Sequence, residues 1–558
     1  MKDCEEWLLL SPSVNVRQAD MDSYELAIPS CSIKVPKDLW EVVCPLLDGE
    51  HDEDEIIEGA TSASFPMTVV YYLLYQLEQN GMLVVRSPMG ASGAADASLS
   101  AEKPCFVSRS KWGYTDGGDR IMSPADSLKK YSSLVHPDGI VHNLRNQTPL
   151  NGHLLAYYLA VAEWKVVNPL PESSSLHKVD VAVDHRLGRA LPTGLSCGKG
   201  RTREQARMSA VGEALERYST QYFGNESVYQ ASYNEVKDCA VNPWSLISFS
   251  ENQYLHAAEW SRQGPFSVVP RPYQEDIPID WVKAWSFTEK RLLWIPAAFA
   301  YYHYPRERGG EFFIGNSNGV AGGNCQEEAF LHGLYELIER DAVAVWWYNR
   351  LRLPRIDVDA FADGKMRRLL FQLKNEGFGI DAIDLTNDLG IPVAIAIARK
   401  GGDRIPCLGM GCHLDMSVAL DRAVSELVQG IVGAEQMAMF EDSVWKPLES
   451  RYDTCFLHSD ESLGTRIPQD YANCSSPDLK DDIAHLLAVL QQHKMDCYFH
   501  NLTREEAGGY SVCRVIVPDL AFFWPRFSCR RLYQVPVIMG WTDQPLKESE
   551  LTQISFPL

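Results

Sequence analysis

The chain lacks several features that would place it in common protein classes. Its 558 residues contain no run of about eighteen apolar residues, so we expect no membrane-spanning helix. Residues 1–6 are acidic where a secretory signal is basic and then apolar, which predicts a cytoplasmic protein. Lys and Arg number 52 against 74 Asp and Glu, and this net charge of -22 argues against nucleic acid as a partner.

The 14 cysteines also lack the spacing of a metal site. No Cys-x-x-Cys pair occurs, and the nearest neighbours, Cys407 and Cys412, are not accompanied by His-x-x-x-His. The histidines, such as His332 and His413, form no cluster along the sequence. We therefore expect reduced, mostly buried thiols and no structural zinc.

The first 87 residues resemble a small separate domain. Short helices alternate with turn signals, and a strand lies on either side of them. This order predicts a winged-helix-like arrangement, although an accessory packing domain would show the same spacing. The predicted elements are a strand at 32–35, helices at 39–47, 52–60 and 69–79, with a turn at 48–49 after the first helix, and a closing strand at 82–85.

Residues 88–104 are rich in Ser, Ala and Gly, which predicts a flexible linker. From residue 105 to 558, helices and strands alternate without another break, so we predict one large α/β domain with mixed sheets. The predicted strands are 281–285, 292–300, 380–385, 393–398 and 512–517, and an amphipathic helix is predicted at 415–432.

Two helix-forming segments carry the same motif, Glu-x-x-Glu-Arg. Positions three, four, eight or eleven apart share a helix face. One stripe therefore combines Ser209, Glu213 and Glu216, and a second combines Glu328 and Glu339 with Glu336 beside them. Carboxylates among Ala, Leu and Ile are costly to bury unless a cation neutralises them.

Two such helices facing each other would form a magnesium site, and hence a site for a nucleoside triphosphate. The motifs lie 123 residues apart, and we hypothesise that their helices are equivalent parts of a pseudo-twofold core. The alternative interpretation is that the glutamates face solvent and pair with Arg217 and Arg340.

The segment Gly198-Lys199-Gly200 precedes the first acidic helix. It is not a Walker motif, because only three residues separate Gly194 from Gly198 and Gly200 stands where Ser or Thr should hold magnesium. A lysine in a glycine turn that leads into a helix can still bind phosphate. Asn324, before the second acidic helix, is either a helix cap or a ligand.

These motifs resemble the YcaO family, and within it the ATP-dependent cyclodehydratases that make azole-containing peptides. The resemblance covers about residues 105–558. The matching segments are Arg120-Ile-Met-Ser-Pro, 198–206, 213–219, 317–324, 327–329, 339–350, 384–392 and 531–536.

The resemblance implies a YcaO-like catalytic domain that binds ATP through Mg2+. The implied ligands of the metal or of its water molecules are Glu213, Glu216, Glu328, Glu336 and Glu339. The residues implied to contact the phosphates or the nucleotide are Lys199, Ser209, Arg217, Asn324, Arg340 and Arg422. Family members of this class often end in a Pro-x-Pro-x-Pro tail. This sequence keeps one proline of that pattern, and the carboxylate of Leu558 is our candidate for the general base.

The resemblance also implies a substrate. Winged-helix units in such pathways bind the leader of a precursor peptide as an added strand, here near residues 22–36. Cyclodehydration would convert Cys, Ser or Thr of that peptide into thiazoline or oxazoline. The sequence has no adenylating-enzyme-like middle domain, which predicts a separate partner protein, and the family implies a homodimer. Thioamide or amidine formation, a non-catalytic leader-binding scaffold and a metal-dependent hydrolase are the alternatives.

Overall fold

The computed structural model describes most of the chain. The residues described are 7–10, 15–18, 23–28, 31–52, 60, 65, 69–70, 73–74, 77, 83–86, 103–112, 118–146, 157–167, 193–263, 267–400, 407–436 and 445–557. The chain divides into two compact units, of which the first comprises Met1–Leu99 with Thr148–Leu155 and the second comprises Ser100–Gln147 with Ala156–Leu558.

The described residues of the first unit form two small antiparallel sheets and a short helix, and residues 60, 69–70, 73–74 and 77 are helical as well, as predicted for 52–60 and 69–79. Its elements are β1 (Trp7–Leu10), β2 (Asn15–Gln18), β3 (Ser23–Ile28), β4 (Cys31–Pro36), α1 (Lys37–Val43), β5 (Asp48–Asp52) and β6 (Leu83–Arg86). The strand orders are β5-β1-β6 and β2-β3-β4. Strand β2 is an edge strand, and all four of its side chains are exposed.

Sequence periodicity locates β4, α1 and β6 of this unit, while β1, β2, β3 and β5 were not predicted. The predicted strand at 32–35 lies within β4, and the predicted closing strand lies within β6 except for its first residue, which is not described. The predicted turn at 48–49 is wrong, because both residues belong to β5, where Asp48 pairs with Leu9, and a 3-10 helix at Cys44–Leu46 directly follows α1 instead. Residues 53–59 of the predicted second helix lie outside the described residues, and Asp52 belongs to β5.

The second unit contains three separate sheets. Its strands are β7 (Val141–Asn146), β8 (Tyr158–Lys165), β9 (Thr193–Gly200), β10 (Tyr229–Ala231), β11 (Ile279–Ser286), β12 (Arg291–Pro296), β13 (Val320–Gly323), β14 (Arg355–Ile356), β15 (Phe378–Asp384), β16 (Val393–Lys400), β17 (Cys407–Cys412), β18 (Thr465–Arg466), β19 (Tyr498–Asn501) and β20 (Ser511–Ile516). The sheet orders are β7-β8-β9, β10-β11-β19-β20-β13 with β12 beside β11, and β17-β16-β15-β14-β18.

Helices cover these sheets. They are α2 (Pro124–Lys130), α3 (Arg203–Thr220), α4 (Tyr233–Val236), α5 (Pro243–Ile247), α6 (Glu251–Leu255), α7 (Ala257–Ser261), α8 (Ala297–Ala300), α9 (Gln326–Asn349), α10 (Val358–Phe361), α11 (Gly364–Asn375), α12 (Met416–Gln436), α13 (Trp445–Arg451), α14 (Leu479–Gln492) and α15 (Arg531–Ile538). Helix α9 is almost entirely buried, and its Trp346, Trp347 and Tyr348 have no exposed surface. Among the helices described, we find none with both the length and the hydropathy needed to cross a membrane.

The predicted strands and the amphipathic helix of this unit are present, with one correction. The predicted strand 292–300 is too long, because β12 ends at Pro296 and Ala297–Ala300 is helical. Proline has no N–H to donate to a ladder, and it is well suited to the position before a helix. The amphipathic helix predicted at 415–432 extends further, to Gln436, as α12.

Each of the three sheets ends in an edge strand that runs into a long helix. Strand β9 precedes α3, β13 precedes α9, and β17 precedes α12. Glycines let each strand lie directly against its helix. A β-carbon at Gly198 or at Gly411 would collide with the helix backbone eight and twelve residues further along, at Ala206 and Ala210 or at Ala419 and Ala423.

The second strand–helix unit has the same register. A β-carbon at Gly200 would meet the residues five and six positions later, and a β-carbon at Gly323 would do the same. The hypothesis that the two acidic helices are equivalent is therefore supported by their packing. The structure extends the repeat to a third unit, β17 with α12, which the Glu-x-x-Glu-Arg motif does not indicate.

Candidate functional site

The repeat places carboxylates at matching positions on three helices. Glu213 follows Gly198 by fifteen residues, and Glu426 follows Gly411 by fifteen. Glu213 follows Gly200 by thirteen residues, and Glu336 follows Gly323 by thirteen. One helical turn further along, the three helices carry Glu216, Glu339 and Gln429. We refer to Glu213, Glu216, Glu336, Glu339 and Glu426 as the acidic cluster.

Helix α3 holds its two glutamates beside an arginine. The helix starts at Thr202, whose hydroxyl accepts a hydrogen bond from the Gln205 N–H. Arg217 Nη2 lies 3.4 Å from Glu213 Oε1, and Arg217 Nη1 donates to the Tyr302 hydroxyl at 2.9 Å. Burial raises the pKa of Glu216 to about 8. Arg217 opposes this rise, while the nearby carboxylates of Glu336 and Glu213 add to it.

Helix α9 repeats this arrangement. Arg340 Nη2 lies 2.5 Å from Glu336 Oε1, while the Gly319 N–H donates to Glu336 Oε2 at 2.8 Å. The Arg340 guanidinium also stacks on Phe523, 4.5 Å from its ring centre. Its buried Nε has no hydrogen-bond acceptor within the described part of the chain. The left-handed backbone of Gly319 (φ 73°) brings its N–H close to the carboxylate.

The third helix connects Lys199 to the acidic cluster. Lys199 Nζ lies 2.5 Å from Glu426 Oε2. Burial raises the pKa of Glu339 to about 8, with Glu426 adding to the rise and Lys199 opposing it. Glu426 is a site residue that our sequence analysis missed. Its signal was available, since it occupies the same position relative to Gly411 as Glu213 does relative to Gly198.

Glu328 does not join these carboxylates. Its Oε1 accepts the Ile121 N–H at 2.5 Å, and its Oε2 accepts the Asn324 N–H at 2.7 Å. Burial raises its pKa, and these hydrogen bonds oppose the rise. At 1.5 Å per residue, Glu328 lies about 12 Å from Glu336 and about 16 Å from Glu339 along the helix. One ion cannot join Glu328 to Glu339, although an elongated ligand can contact both.

The other predicted site residues differ in placement. The Asn324 amide nitrogen donates to Glu328, while its buried Oδ1 has no partner among the described residues. Ser209 is exposed on α3. Arg422 donates to Asp119 at 2.7 Å and to the Cys412 carbonyl at 3.0 Å, so contacts within the protein already engage its guanidinium.

Leu558, our candidate general base, lies outside the described residues. The segment just before it runs along α9, where the Trp347 indole donates to the Ile554 carbonyl at 2.9 Å. The Phe556 ring packs 5.8 Å from Phe523, which is the ring that carries Arg340. Phe523 therefore contacts both this segment and Arg340, which pairs with Glu336 of the acidic cluster.

Arg514 is a second residue that our sequence analysis missed. It is fully buried on β20 and donates to the carbonyls of Ala300, Asn318 and Asn316 at 3.1, 3.1 and 2.6 Å. Burial lowers its pKa to about 10, and the nearby Glu336 and Glu216 oppose the decrease. These hydrogen bonds from Arg514 hold the loop at Asn316 and Asn318, and the Asn318 side chain accepts a hydrogen bond from Arg340. An arginine in the middle of an apolar strand was the available signal.

A second group of charges includes Arg422 of α12, one helical turn before Glu426, and we name Lys111, Asp119, His413, Arg422 and Asp482 the closed ion cluster. Lys111 Nζ contacts Asp119 at 2.8 Å and Asp482 at 2.6 Å. His413 Nε2 lies 3.0 Å from Asp119, and its Nδ1 accepts the Asp415 N–H at 2.9 Å. The accepting Nδ1 indicates a neutral imidazole, so two cations balance two carboxylates.

The acidic cluster fits a magnesium nucleotide better than a bare metal. Among the described residues, no three His, Cys, Asp or Glu side chains converge closely enough to hold a metal ion by themselves. Mg2+ commonly takes one or two carboxylates together with substrate phosphates, so the phosphates would complete its coordination. Two buried polar atoms of this region, Arg340 Nε and Asn324 Oδ1, lack hydrogen-bond partners among the described residues.

A family model for YcaO cyclodehydratases, described as binding ATP and Mg2+, matches residues 197–521. An uncharacterised protein of Methanothermobacter thermautotrophicus is 29% identical over 64% of this chain and 90% of its own length. The ribosomal protein S12 methylthiotransferase accessory factor YcaO of Escherichia coli is 23% identical over 66% of this chain and 63% of its own length.

Solved structures share the fold. A heterocyclase in complex with substrate and cofactor superposes with a TM-score of 0.72 at 22% identity, over 99% of this chain and 100% of that one. YcaO from Methanopyrus kandleri bound with AMPPCP and Mg2+ gives a TM-score of 0.51 at 19% identity, over 72% and 93% of the two chains. The predicted mixed α/β fold class is thereby confirmed.

Proposed function

Since the chain belongs to the YcaO family, whose members bind ATP and Mg2+, we propose that it is an ATP-dependent cyclodehydratase acting on a ribosomally made precursor peptide. The observation that carries the proposal is the acidic cluster. Its five carboxylates come from three helices, and burial raises the pKa of two of them, Glu216 and Glu339, to about 8. Such a surplus of half-buried acid is costly unless a cation is bound.

Residues around the acidic cluster would hold the nucleotide. Glu213, Glu216, Glu336, Glu339 and Glu426 would bind Mg2+ directly or through water, and Glu328 would act at the other end of the ligand. Lys199 and Arg340 would contact phosphate oxygens, since each combines a cationic head with a position beside the carboxylates. Ser209, Arg217, Asn324 and Arg422 remain proposed nucleotide contacts.

The proposed reaction removes one water from the peptide for each ring formed. A Cys, Ser or Thr side chain adds to the preceding amide carbon, and its proton passes to a base. The amide oxygen accepts the γ-phosphoryl group of ATP and leaves as phosphate, while loss of the amide proton completes the C=N bond. Mg2+, when bound, neutralises charge on the transferred phosphoryl group. The carboxylate of Leu558 remains our proposal for the base.

We propose that the first unit binds the leader of the precursor peptide. Residues 1–87 would form the winged-helix-like domain and 88–104 the linker to the catalytic domain at 105–558. The exposed edge strand β2 supports this assignment, because a peptide can add to an edge by main-chain hydrogen bonds. Strand β3, within the region 22–36 predicted for this contact, is the central strand of its sheet. A separate partner protein, a homodimer and a cytoplasmic location complete the proposal.

The test is mass spectrometry of a candidate precursor, taken from the neighbouring genes, after incubation with the protein and Mg2+-ATP. Loss of one water for each modified residue is expected from the intact protein and not from Glu339→Gln. The exposed Glu505→Gln is the matched control and should retain activity. Exchange of oxygen for sulfur would favour thioamide formation. If the protein binds the leader peptide but does not turn over ATP, even with partner proteins supplied, the result would contradict the proposed cyclodehydratase activity. It would favour the alternative of a non-catalytic leader-binding scaffold.

A further inference from the structure

A pocket lies beside the acidic cluster. Its enclosed volume is about 60 Å3, which is enough for a carboxylate group together with a few water molecules. The loop at Asn316 and Asn318 forms one wall, and Leu337 of α9 forms another. Asn318 also accepts a hydrogen bond from Arg340 Nη1 at 3.3 Å, so the pocket adjoins the Arg340 end of the acidic cluster.

Most of the residues that line the pocket are apolar, although polar atoms make up the larger share of the surface exposed inside it. Its aromatic and aliphatic walls come from the turn after α5, from the end of β20 and from the loop that follows. The side chains that form these walls include Ile247, Phe249, Phe299, Ile314, Leu520 and Phe522. Of the polar groups present, Ser245 donates to the Asn242 carbonyl at 2.7 Å and Ser248 donates to the Ser245 carbonyl at 3.2 Å. These hydroxyls are engaged within the protein.

Arg526 is the charged side chain in this lining. Its guanidinium stacks on Phe249, 3.9 Å from the ring centre, and faces Phe522 at 5.7 Å. One hydrogen bond, from Nη1 to the Pro525 carbonyl at 2.9 Å, engages it. Within the described part of the chain, no carboxylate pairs with it, and the titratable groups that act on it are the phenols of Tyr348 and Tyr254.

An arginine held between aromatic rings presents its free N–H edge in a fixed direction, which suits a planar carboxylate. The pocket therefore combines a small volume, walled mainly by apolar residues, with one cation that no carboxylate of the described residues neutralises. We propose that it binds a carboxylate carried by the substrate peptide and so positions the peptide next to the site of amide activation. This inference rests on the proposed function and adds a determinant of substrate choice to it.

The shared chemistry, a carboxylate next to an apolar group, has two sources in a peptide: the C-terminus and an acidic side chain. The test uses three probes, N-acetyl-Ala-Cys-Leu with a free carboxylate, the same peptide as the C-terminal amide, and N-acetyl-Glu-Cys-Leu-amide. Binding to the full chain is measured by ligand-detected NMR. Magnesium and nucleotide are left out, so that no carboxylate binds through a metal.

We expect the free acid to bind about 10- to 100-fold more tightly than the plain amide, as for a charge-assisted hydrogen bond. Recovery of the affinity by the glutamyl amide would assign the side chain as the source, and its failure would assign the C-terminus. Equal binding of all three probes to the wild-type protein would overturn the proposal, and this comparison needs no variant.

Variants then locate the contact. Arg526→Gln should abolish the preference for the free acid, while the matched control Arg530→Gln, at an exposed arginine four residues later, should keep it. A preference that survives in a folded Arg526→Gln protein would overturn the proposal. Because binding is measured without ATP, a protein that proves to lack cyclodehydratase activity can still pass or fail this test.

Discussion

Helix α12 contributes to two charged clusters that differ in their balance. In the closed ion cluster, Lys111 and Arg422 match Asp119 and Asp482, and contacts with His413, Arg422 and Lys111 hold the pKa of Asp119 well below its usual range despite its burial. In the acidic cluster, five carboxylates face Lys199, Arg217 and Arg340, and the buried Arg514 lies near Glu216 and Glu336.

We interpret the balanced charges of the closed ion cluster as stabilising the fold, and the unbalanced charges of the acidic cluster as suited to binding a cationic ligand. Paired charges with complete hydrogen bonds can stay buried at little net cost. Surplus carboxylates instead hold protons at neutral pH, as the raised pKa values of Glu216 and Glu339 indicate. The presence of carboxylates removed from solvent does not by itself distinguish a binding site from a structural ion network. An excess of negative over positive charge does.

The largest expected effect comes from unbalancing the closed ion cluster. Asp119→Ala would leave Lys111 and Arg422 without their shared carboxylate, and we expect the free energy of unfolding to fall by about 3–5 kcal/mol. Urea denaturation followed by fluorescence would measure the loss. The exposed Asp359→Ala serves as control and should change it little. A loss below about 1 kcal/mol for Asp119→Ala would show that the cluster does not stabilise the fold.

Neutralising one carboxylate of the acidic cluster should do the opposite. Glu339→Gln keeps the shape and resembles the protonated acid that the raised pKa of Glu339 indicates at neutral pH, so we expect the nucleotide-free protein to be at least as stable as the wild type. ATP turnover should fall about 100-fold, as when one electrostatic contact to a reacting group is removed. Parallel turnover and melting measurements would check both parts. A variant that unfolds would mean that Glu339 is structural.

The third strand–helix unit gives a sharper and smaller test. We expect Glu426→Gln to weaken Mg2+-ATP binding about 10-fold, because Lys199 loses its partner and the acidic cluster loses a ligand. Isothermal titration would measure the affinity, with Glu505→Gln as the control. Unchanged binding would restrict the site to the two helices that carry Glu-x-x-Glu-Arg.

A further expected effect concerns pH. Folding raises the pKa of Glu216 from 4.5 to about 8, and that of Glu339 likewise, so the folded state holds these protons more tightly. Their contribution to stability is complete below pH 4.5 and is lost as the pH rises through 8. The melting temperature of the nucleotide-free protein should therefore fall over this range. Glu216→Gln should flatten the profile, and an unchanged slope would contradict the assignment.

Sequence patterns predicted the elements better than their assembly. Continuous apolar runs located β15, β16 and β20, and amphipathic spacing located α12. The strand ending at Pro296 was extended too far, because the four apolar residues after it read equally well as strand or helix. That the described strands of the second unit form three separate sheets could not be read from local patterns, because strand pairing is set by contacts distant in sequence.

The candidate site was predicted in part. Both Glu-x-x-Glu-Arg helices supply the acidic cluster, as their spacing indicated. Glu328 shares a helix face with Glu339, but a shared face does not fix the distance between two residues along the helix axis. In addition, nearby backbone N–H groups donate to the Glu328 carboxylate. Glu426 was missed because its helix carries Gln429 and Gly430 where the motif has Glu and Arg.

The three strand–helix units draw the acidic cluster from segments more than 200 residues apart, at Glu213 and Glu426. Such contacts of long sequence separation form late, after the loops between them have closed. A partly folded chain therefore has no complete nucleotide site, and nucleotide contributes little to the folding transition state. Bound nucleotide would instead slow unfolding, since interactions absent from the transition state change the unfolding rate. The ligand would act on the lifetime of the folded enzyme and leave its rate of formation unchanged.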